Sequence, residues 1–333
     1  MHRRGFLSAA TGAALARIVN GAQESRRLKL FLNCDMDGSP GIFTREQAWY
    51  WENGARPEVG REACELFTAD INAASEAALA AGAAELIVCD THHGGGNFIQ
   101  EKLLRDPRIT YLYRSVGMED GKRRWMPGLN ETVAGLLLPG HHAKASTEGA
   151  FLPHTWNFEW LDFTINGQSV GEIGIEACFA GHWDIPLIHV QGDEAACAET
   201  RRQFPTAVTT AVKRGTTDSC TGLTPEAAKR ETARGIKQAI ESLRAGNASL
   251  QAVATDDRDV ADENDGCGGE GGATPRCIET GRSHGGGSRR PAMRCREVAV
   301  GYRPRYATGS PCSFACPFSG SISSIPRPRL VPC

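Results

Sequence analysis

Two aspartates two residues apart, Asp35 and Asp37, close the run Phe31-Leu32-Asn33-Cys34-Asp35-Met36-Asp37-Gly38. Side chains alternate along an extended chain, so both carboxylates project to one face where the apolar run ends. Two like charges held this close repel unless a cation lies between them, which makes the pair a candidate metal site. Two further apolar runs end in a similar way. Glu85-Leu86-Ile87-Val88-Cys89-Asp90 leads into Thr91-His92-His93, and Thr132-Val133-Ala134-Gly135-Leu136-Leu137-Leu138 leads into Pro139-Gly140-His141-His142. A single histidine is more often structural than a ligand. Three strands that each deliver a carboxylate or imidazole at the same end favour a shared centre.

Two clusters downstream can complete it. Ser146 to His154 follows His142 closely, so the chain can return His154 to the same edge. Val170-Gly171-Glu172-Ile173-Gly174 opens a helix. Glu172 is there either a ligand or, more commonly for such a residue, a carboxylate favoured by the helix dipole.

The elements that must position these groups alternate from Arg27 to Leu243 as strand and helix, an α/β order. The expected fold is a mixed, largely parallel sheet flanked by helices, with an irregular C-terminal tail. In open sheets of this class, ligands bind beyond the carboxyl ends of the strands. Cys64, Phe67, Ile71, Ala74 and Ala78 recur at three- and four-residue steps and predict an amphipathic helix over 57–81. Strands are expected near 85–90, 110–113 and 133–138. A strand pair over 160–165 and 168–170 is expected to turn at Asn166-Gly167. A helix over 171–183, a strand over 186–190 and a helix over 193–203 follow. Thr224-Pro225 marks another helix start, with Ile236, Ile240 and Leu243 as its buried stripe.

Three segments emerge: residues 1–26, an α/β domain over 27–249, and a tail over 250–333. The first contains Arg3-Arg4-Gly5-Phe6-Leu7 followed by an alanine-rich stretch, which resembles a twin-arginine export signal. Export, to the periplasm, is the expected location; a cytoplasmic location follows if this pattern is only a basic terminus. The tail has Gly-, Pro- and Arg-rich clusters, no lysine, and six of the twelve cysteines. It is expected to be disordered or translated out of frame. Cys34, Cys64, Cys89 and Cys178 fall in strands or on apolar helix faces and read as small buried hydrophobes rather than disulfide partners. A net charge of -2 over 333 residues argues against nucleic acid held by broad phosphate neutralisation. No apolar run approaches the roughly 20 residues that span a bilayer, so no stable membrane anchor is expected.

Asp35-Met36-Asp37-Gly38, Asp90-Thr91-His92, Gly140-His141-His142-Ala143-Lys144-Ala145-Ser146-Thr147, His154 and Val170-Gly171-Glu172-Ile173-Gly174 together resemble the D-aminopeptidase family of zinc metallopeptidases, peptidase family M55. The resemblance covers about residues 28–248 and follows the family's motif order. It implies that Asp35, Asp37, His92, His142 and Glu172 hold two zinc ions, with His154 as the catalytic residue, either nucleophile or acid/base. It also implies short substrates with an N-terminal D-residue, such as D-Ala-D-Ala, and a closed homo-oligomer. The chain departs from the family in having Asp37 where glutamate is usual and a stretch before His154 one residue longer. The family's C-terminal part is not recognisable in 250–333. The residues fit the implied chemistry independently: two imidazoles and three carboxylates form a nitrogen/oxygen set suited to zinc, with manganese or cobalt as substitutes.

His93 and His141 adjoin these residues but, one position along, are expected to point elsewhere. His182 and His189 are expected to be structural, and Lys144 solvated. One rival is a magnesium phosphatase of the haloacid dehalogenase type, with Asp35 as nucleophile and Asp37 as acid/base. Its late acidic motif is only half present, because Gly192-Asp193 is followed by Cys197 where a second acid is needed. A metal-binding pseudoenzyme is the other. Replacing Arg3 and Arg4 with lysine is expected to strand the protein in the cytoplasm; unchanged fractionation would remove the export assignment.

Overall fold

The computed structural model describes residues 28–113, 125–156, 158–250, 298–304 and 312–316. In chain order these form β1 (Lys29–Cys34), α1 (Arg45–Ala48), α2 (Pro57–Ala80), β2 (Glu85–Asp90), β3 (Ile109–Tyr113) and β4 (Gly135–His141). There follow β5 (Trp160–Ile165), β6 (Gln168–Ser169), α3 (Glu172–Gly181), β7 (Leu187–Asp193) and α4 (Glu194–Gln203). The last are β8 (Val208–Gly215), β9 (Cys220–Gly222), α5 (Pro225–Arg244), β10 (Val298–Pro304) and β11 (Cys312–Cys316).

The main sheet has the order β3-β2-β1-β4-β7-β8-β9 and is parallel except for β9. The expected α/β class is therefore present. β1 lies inside the sheet and is buried at every position after Lys29. A strand covered on both faces is apolar almost throughout, which is why this run shows no alternation. The chain proceeds from β1 through β2 to β3 on one side, then crosses to β4 on the other. The carboxyl ends of β1 and β4 therefore flank a topological switch point, where diverging loops leave a crevice.

Leu30, Leu32 and Cys34 face the side covered by α2 and α5, where they join Phe67, Ile71, Ile236 and Ile240. Phe31, Leu136 and Leu138 face the other side, against Phe163 and Ile165 of β5 and Ile173 and Ala177 of α3. The stripe expected for α2 is the buried one. At the hairpin between β5 and β6, Asn166 and Gly167 have φ of 52° and 77°. Two consecutive positive φ values are what a tight two-residue turn between twisted strands requires. Thr224 caps α5 through the amide of Ala227.

Five strands depart from expectation. β8 was not anticipated: Val208-Thr209-Thr210-Ala211-Val212-Lys213-Arg214 is polar at too many positions to announce a buried strand. It forms because β7 offers a parallel edge. β4 and β7 run on to His141 and Asp193, carrying their polar ends into the sheet. Within the tail, β10 and β11 extend the small antiparallel sheet, in the order β11-β10-β5-β6. Val298, Val300 and Tyr302 do alternate, but that short pattern is diluted by the surrounding glycine and proline. Residues 1–27, with the export motif, and 251–297 lie outside the described residues.

A buried polar knot ties the helices to the switch point. Gln191 on β7 donates through Nε2 to Asp70 Oδ1 (2.9 Å) and Thr232 Oγ1 (2.8 Å), while its Oε1 accepts from Gly140 N (2.8 Å). Burial pushes the Asp70 carboxyl up to about 6, against the lowering effect of bonds from Gln191 and Ser39. A carboxyl whose folded pKa exceeds its unfolded one drains stability as pH rises from about 4 through 6. Asp70→Asn keeps an acceptor for Gln191 and removes the charge. It is expected to stabilise the fold by on the order of 2–3 kcal/mol near pH 7.5 and not at all near pH 4. Denaturant unfolding at the two pH values checks this, and equal effects at both would contradict it.

Candidate metal centre

Asp35 and Asp37 leave the end of β1, His92 the end of β2, and His142 the end of β4. Two glycines let these loops meet. A Cβ on Gly38 would lie 2.0 Å from the carbonyl oxygen of His141, and one on Gly140 (φ 77°) 1.9 Å from that of Asp35. Gly38 N donates to Gly140 O at 2.6 Å, which locks the approach. Glu172 enters from the first turn of α3, and His154 from the loop before β5. All six side chains anticipated from the sequence are buried in one cluster.

Three triads each hold ligand-type atoms within 4.8 Å of one another: Asp35, Asp37 and His92; Asp35, His142 and Glu172; Asp37, His142 and His154. Backbone carbonyls set which ring nitrogen faces inward. His92 Nε2 meets Ala48 O at 2.7 Å, so Nδ1 is presented to Asp35 Oδ1 at 2.6 Å. Because a carbonyl only accepts, that nitrogen must carry its hydrogen. Helix α1, closed by a capping box between Thr44 and Gln47, supplies that carbonyl. His142 Nδ1 meets Ala143 O (2.9 Å) and His154 Nδ1 meets Leu152 O (2.8 Å). Their Nε2 atoms are thereby turned towards the carboxylates, the orienting arrangement common around metal sites.

His142 Nε2 stands 3.4 Å from Asp35 Oδ2 and 3.5 Å from Glu172 Oε1, and is buried without a hydrogen bond. His154 Nε2 lies 3.8 Å from Asp37 Oδ2 and 3.7 Å from Glu172 Oε1, and its ring stacks on that of His142 at 3.9 Å. Burial opposes charge on every group here, and the neighbours decide the outcome. Asp35 is nevertheless held below the usual carboxylate range by His92 and His142, and Glu172 falls to about 2 beside His142. Against the same burial, Asp37 and Asp35 bring His92 up to about 9, and Glu172 and the aspartates raise His142 well above an ordinary imidazole. His154 goes the other way, lowered by burial and by the neighbouring His142.

The adjoining residues take supporting places. His93 stacks on Trp51 with ring centroids 4.1 Å apart. His141 turns away to pair with buried Glu176 at 2.7 Å, and Trp125 Nε1 donates to the same carboxylate. Asp90 accepts from the backbone and side chain of Asn97, which also donates to His92 O and so shapes the loop. His189 is buried against Thr210, and burial draws it down to about 3. His182 is exposed. Lys144 is not simply solvated, as expected, but donates to Ser169 Oγ at 2.8 Å. Asp193 spends both carboxylate oxygens on backbone amides, those of Ala196 and Phe151. It caps α4, which removes it from the magnesium role a phosphatase would need.

Trp49 was not anticipated. Its Nε1 donates to Asp37 Oδ1 (2.9 Å), and its ring meets His154 edge-on and packs against Phe158. The dense run Trp49-Tyr50-Trp51 so soon after the aspartates was the available signal.

The chain is similar to known proteins. A family model described as D-aminopeptidase, peptidase M55, matches residues 28–259. A D-aminopeptidase of Bacillus subtilis (strain 168) is 33% identical over 187 residues, which cover 56% of this chain. The chain spans 64% of that relative's length. Among solved structures, the Zn-dependent D-aminopeptidase DppA from Bacillus subtilis, described as a self-compartmentalizing protease, superposes with a TM-score of 0.66. That match covers 87% of this chain and 92% of the other at 21% identity, and shows a common fold.

With His92 up to about 9 and His142 raised well above an ordinary imidazole by the carboxylates beside it, both rings favour the protonated form in the metal-free chain. An imidazole must be neutral to ligate, so metal uptake must expel those protons. Affinity for a divalent metal is therefore expected to climb with pH towards about 9. Calorimetry in buffers of different protonation enthalpy should register proton release, and a binding heat independent of buffer would contradict the protonated rings.

Proposed function

The chain belongs to the D-aminopeptidase family, peptidase M55, and on that premise we propose that it is a zinc-dependent aminopeptidase. Its substrates are short peptides with an N-terminal D-amino acid, of the D-Ala-D-Ala kind. The observation that carries this reading is the convergence of six buried acidic and imidazole side chains on the sheet's switch point. The residues suit a metal on chemical grounds. His142 Nε2 is buried, points at two carboxylates and has no hydrogen-bond partner, while the donor set is the nitrogen/oxygen mixture zinc accepts.

In this reading Asp35, Asp37, His92, His142 and Glu172 hold two zinc ions. Zinc supplies polarisation of a peptide carbonyl and a lowering of the pKa of water to about 7. The protein supplies orientation and proton transfer. Ala48, Ala143 and Leu152 fix the three imidazoles through their carbonyls. His154, kept neutral by burial and by His142, has a lone pair on Nε2. That atom takes a proton from the attacking water and returns it to the departing amine. Trp49 and Phe158 pack against the His154 ring and limit water around it. The self-compartmentalizing description of the Bacillus structure supports a homo-oligomer for this chain as well.

The decisive test separates ligand from catalyst. His142→Ala is expected to lose zinc and activity together. His154→Ala is expected to keep its zinc while hydrolysis of D-alanyl-D-alanine falls on the order of 10²- to 10⁴-fold. Metal content and turnover should be read on the same samples, with p-nitrophenyl phosphate plus magnesium as the competing assay. Normal turnover in His154→Ala, zinc loss matching His142→Ala, or phosphatase activity alone would each overturn the assignment.

A further inference from the structure

Lys213 lies on β8, buried, with its ammonium beneath the loop that leaves β1. It donates to the carbonyl oxygens of Asp37 (2.5 Å), Ser39 (3.0 Å) and Ile42 (2.6 Å). An ammonium has three donors, and all three are committed to one stretch of backbone. The face of Phe151 lies 4.5 Å from Nζ, a further favourable contact for a cation. Bringing a charge into the interior is expensive, so a lysine held here needs strong local compensation. Three convergent carbonyls provide it.

The clamped loop is the one that carries Asp35 and Asp37. Asp35 N donates to Pro139 O and Gly38 N to Gly140 O, while Ser39 N donates within the loop to Met36 O. Lys213 reaches three of the loop's carbonyls, of which Ser39 O also accepts from Ile42 N and Ile42 O from Cys220 Sγ. Asp37 is thus gripped twice, through its backbone by Lys213 and through its carboxylate by Trp49.

We propose that Lys213 is a positioning residue for the metal centre, holding the Asp35–Ile42 loop so that both aspartates keep the spacing that binds metal. This rests on the reading of Asp35 and Asp37 as ligands. With all three protons engaged by backbone, Lys213 has none for substrate, so it acts through the loop and not on the reaction.

The test uses the full chain and measures zinc affinity by competition with a chelator, alongside circular dichroism and thermal unfolding of the metal-free protein. Lys213→Met preserves an unbranched side chain and removes the donors. Its zinc affinity is expected to fall about 10- to 100-fold, the range seen when groups that orient ligands are removed. Ile240→Ala, in the core of α5 away from the loop, is the control for general destabilisation and is expected to keep the parental affinity. Lys213→Arg returns a cation but not three donors at one point, so it is expected to fall between parent and Lys213→Met. If Lys213→Met does not fold, Lys213→Arg against the parent decides the matter: weaker zinc binding supports the proposal and parental binding overturns it. Parental affinity in folded Lys213→Met, or equal losses in Ile240→Ala, also overturns it. A parent that takes up no zinc overturns the metal reading and this proposal together, whereas a zinc-binding parent with an indifferent Lys213→Met overturns this proposal alone.

Discussion

Asp35, Asp37 and Glu172 are buried together at the end of a sheet, and mutual repulsion among them is the constraint around which the molecule is arranged. Two carboxylate charges about 5 Å apart repel by roughly 3 kcal/mol at an effective dielectric near 20. Water cannot relieve this, because the groups are enclosed. Relief comes from imidazoles interleaved with the acids and from backbone groups directed at them, such as Met36 N on Asp35 and Trp156 N on Glu172. A cation held at the centre would complete the compensation, which is why a constellation so unfavourable for folding suits a metal site.

The same side chain serves three ends because its surroundings differ. His92 and His142 sit nearest the acids and are raised, while His154 lies over His142 and is lowered. Two stacked rings 3.9 Å apart resist being protonated together. The pair therefore divides into one imidazole that shares charge with the acids and one that stays neutral. His141, a neighbour in sequence, is excluded from this division by its pairing with Glu176 on the opposite side of its strand.

Close backbone approach makes the arrangement possible. Gly38 and Gly140 have no room for side chains, so the loop after β1 touches the end of β4 and Asp35 comes within reach of His142. Gln191 fixes Gly140 from beneath and links it to α2 and α5. Packing of the helices is in this way transmitted to the geometry of the site through hydrogen bonds at buried positions, where they are strongest and least replaceable.

Much of this was legible in one dimension. Strand runs, helix stripes, the Asn166-Gly167 turn and the Thr224 cap are encoded by neighbours within a few residues, and local periodicity reports them. Five of the six residues of the centre were legible because Asp35, Asp37, His92 and His142 follow strand ends and Glu172 opens a helix, while His154 was placed only by its closeness in sequence to His142. Sequence alone could not reveal that Trp49 holds Asp37, that Gln191 joins three elements, or that Lys213 reaches the loop after β1 from a strand more than 170 positions away. Nor could it announce β8 or β10, whose residues lack a strong pattern and which form against edges provided by β7 and β5. Local pattern determined which groups are present and which ends they occupy. Long-range packing decided which atoms face one another, because contacts between distant positions leave no period in the chain.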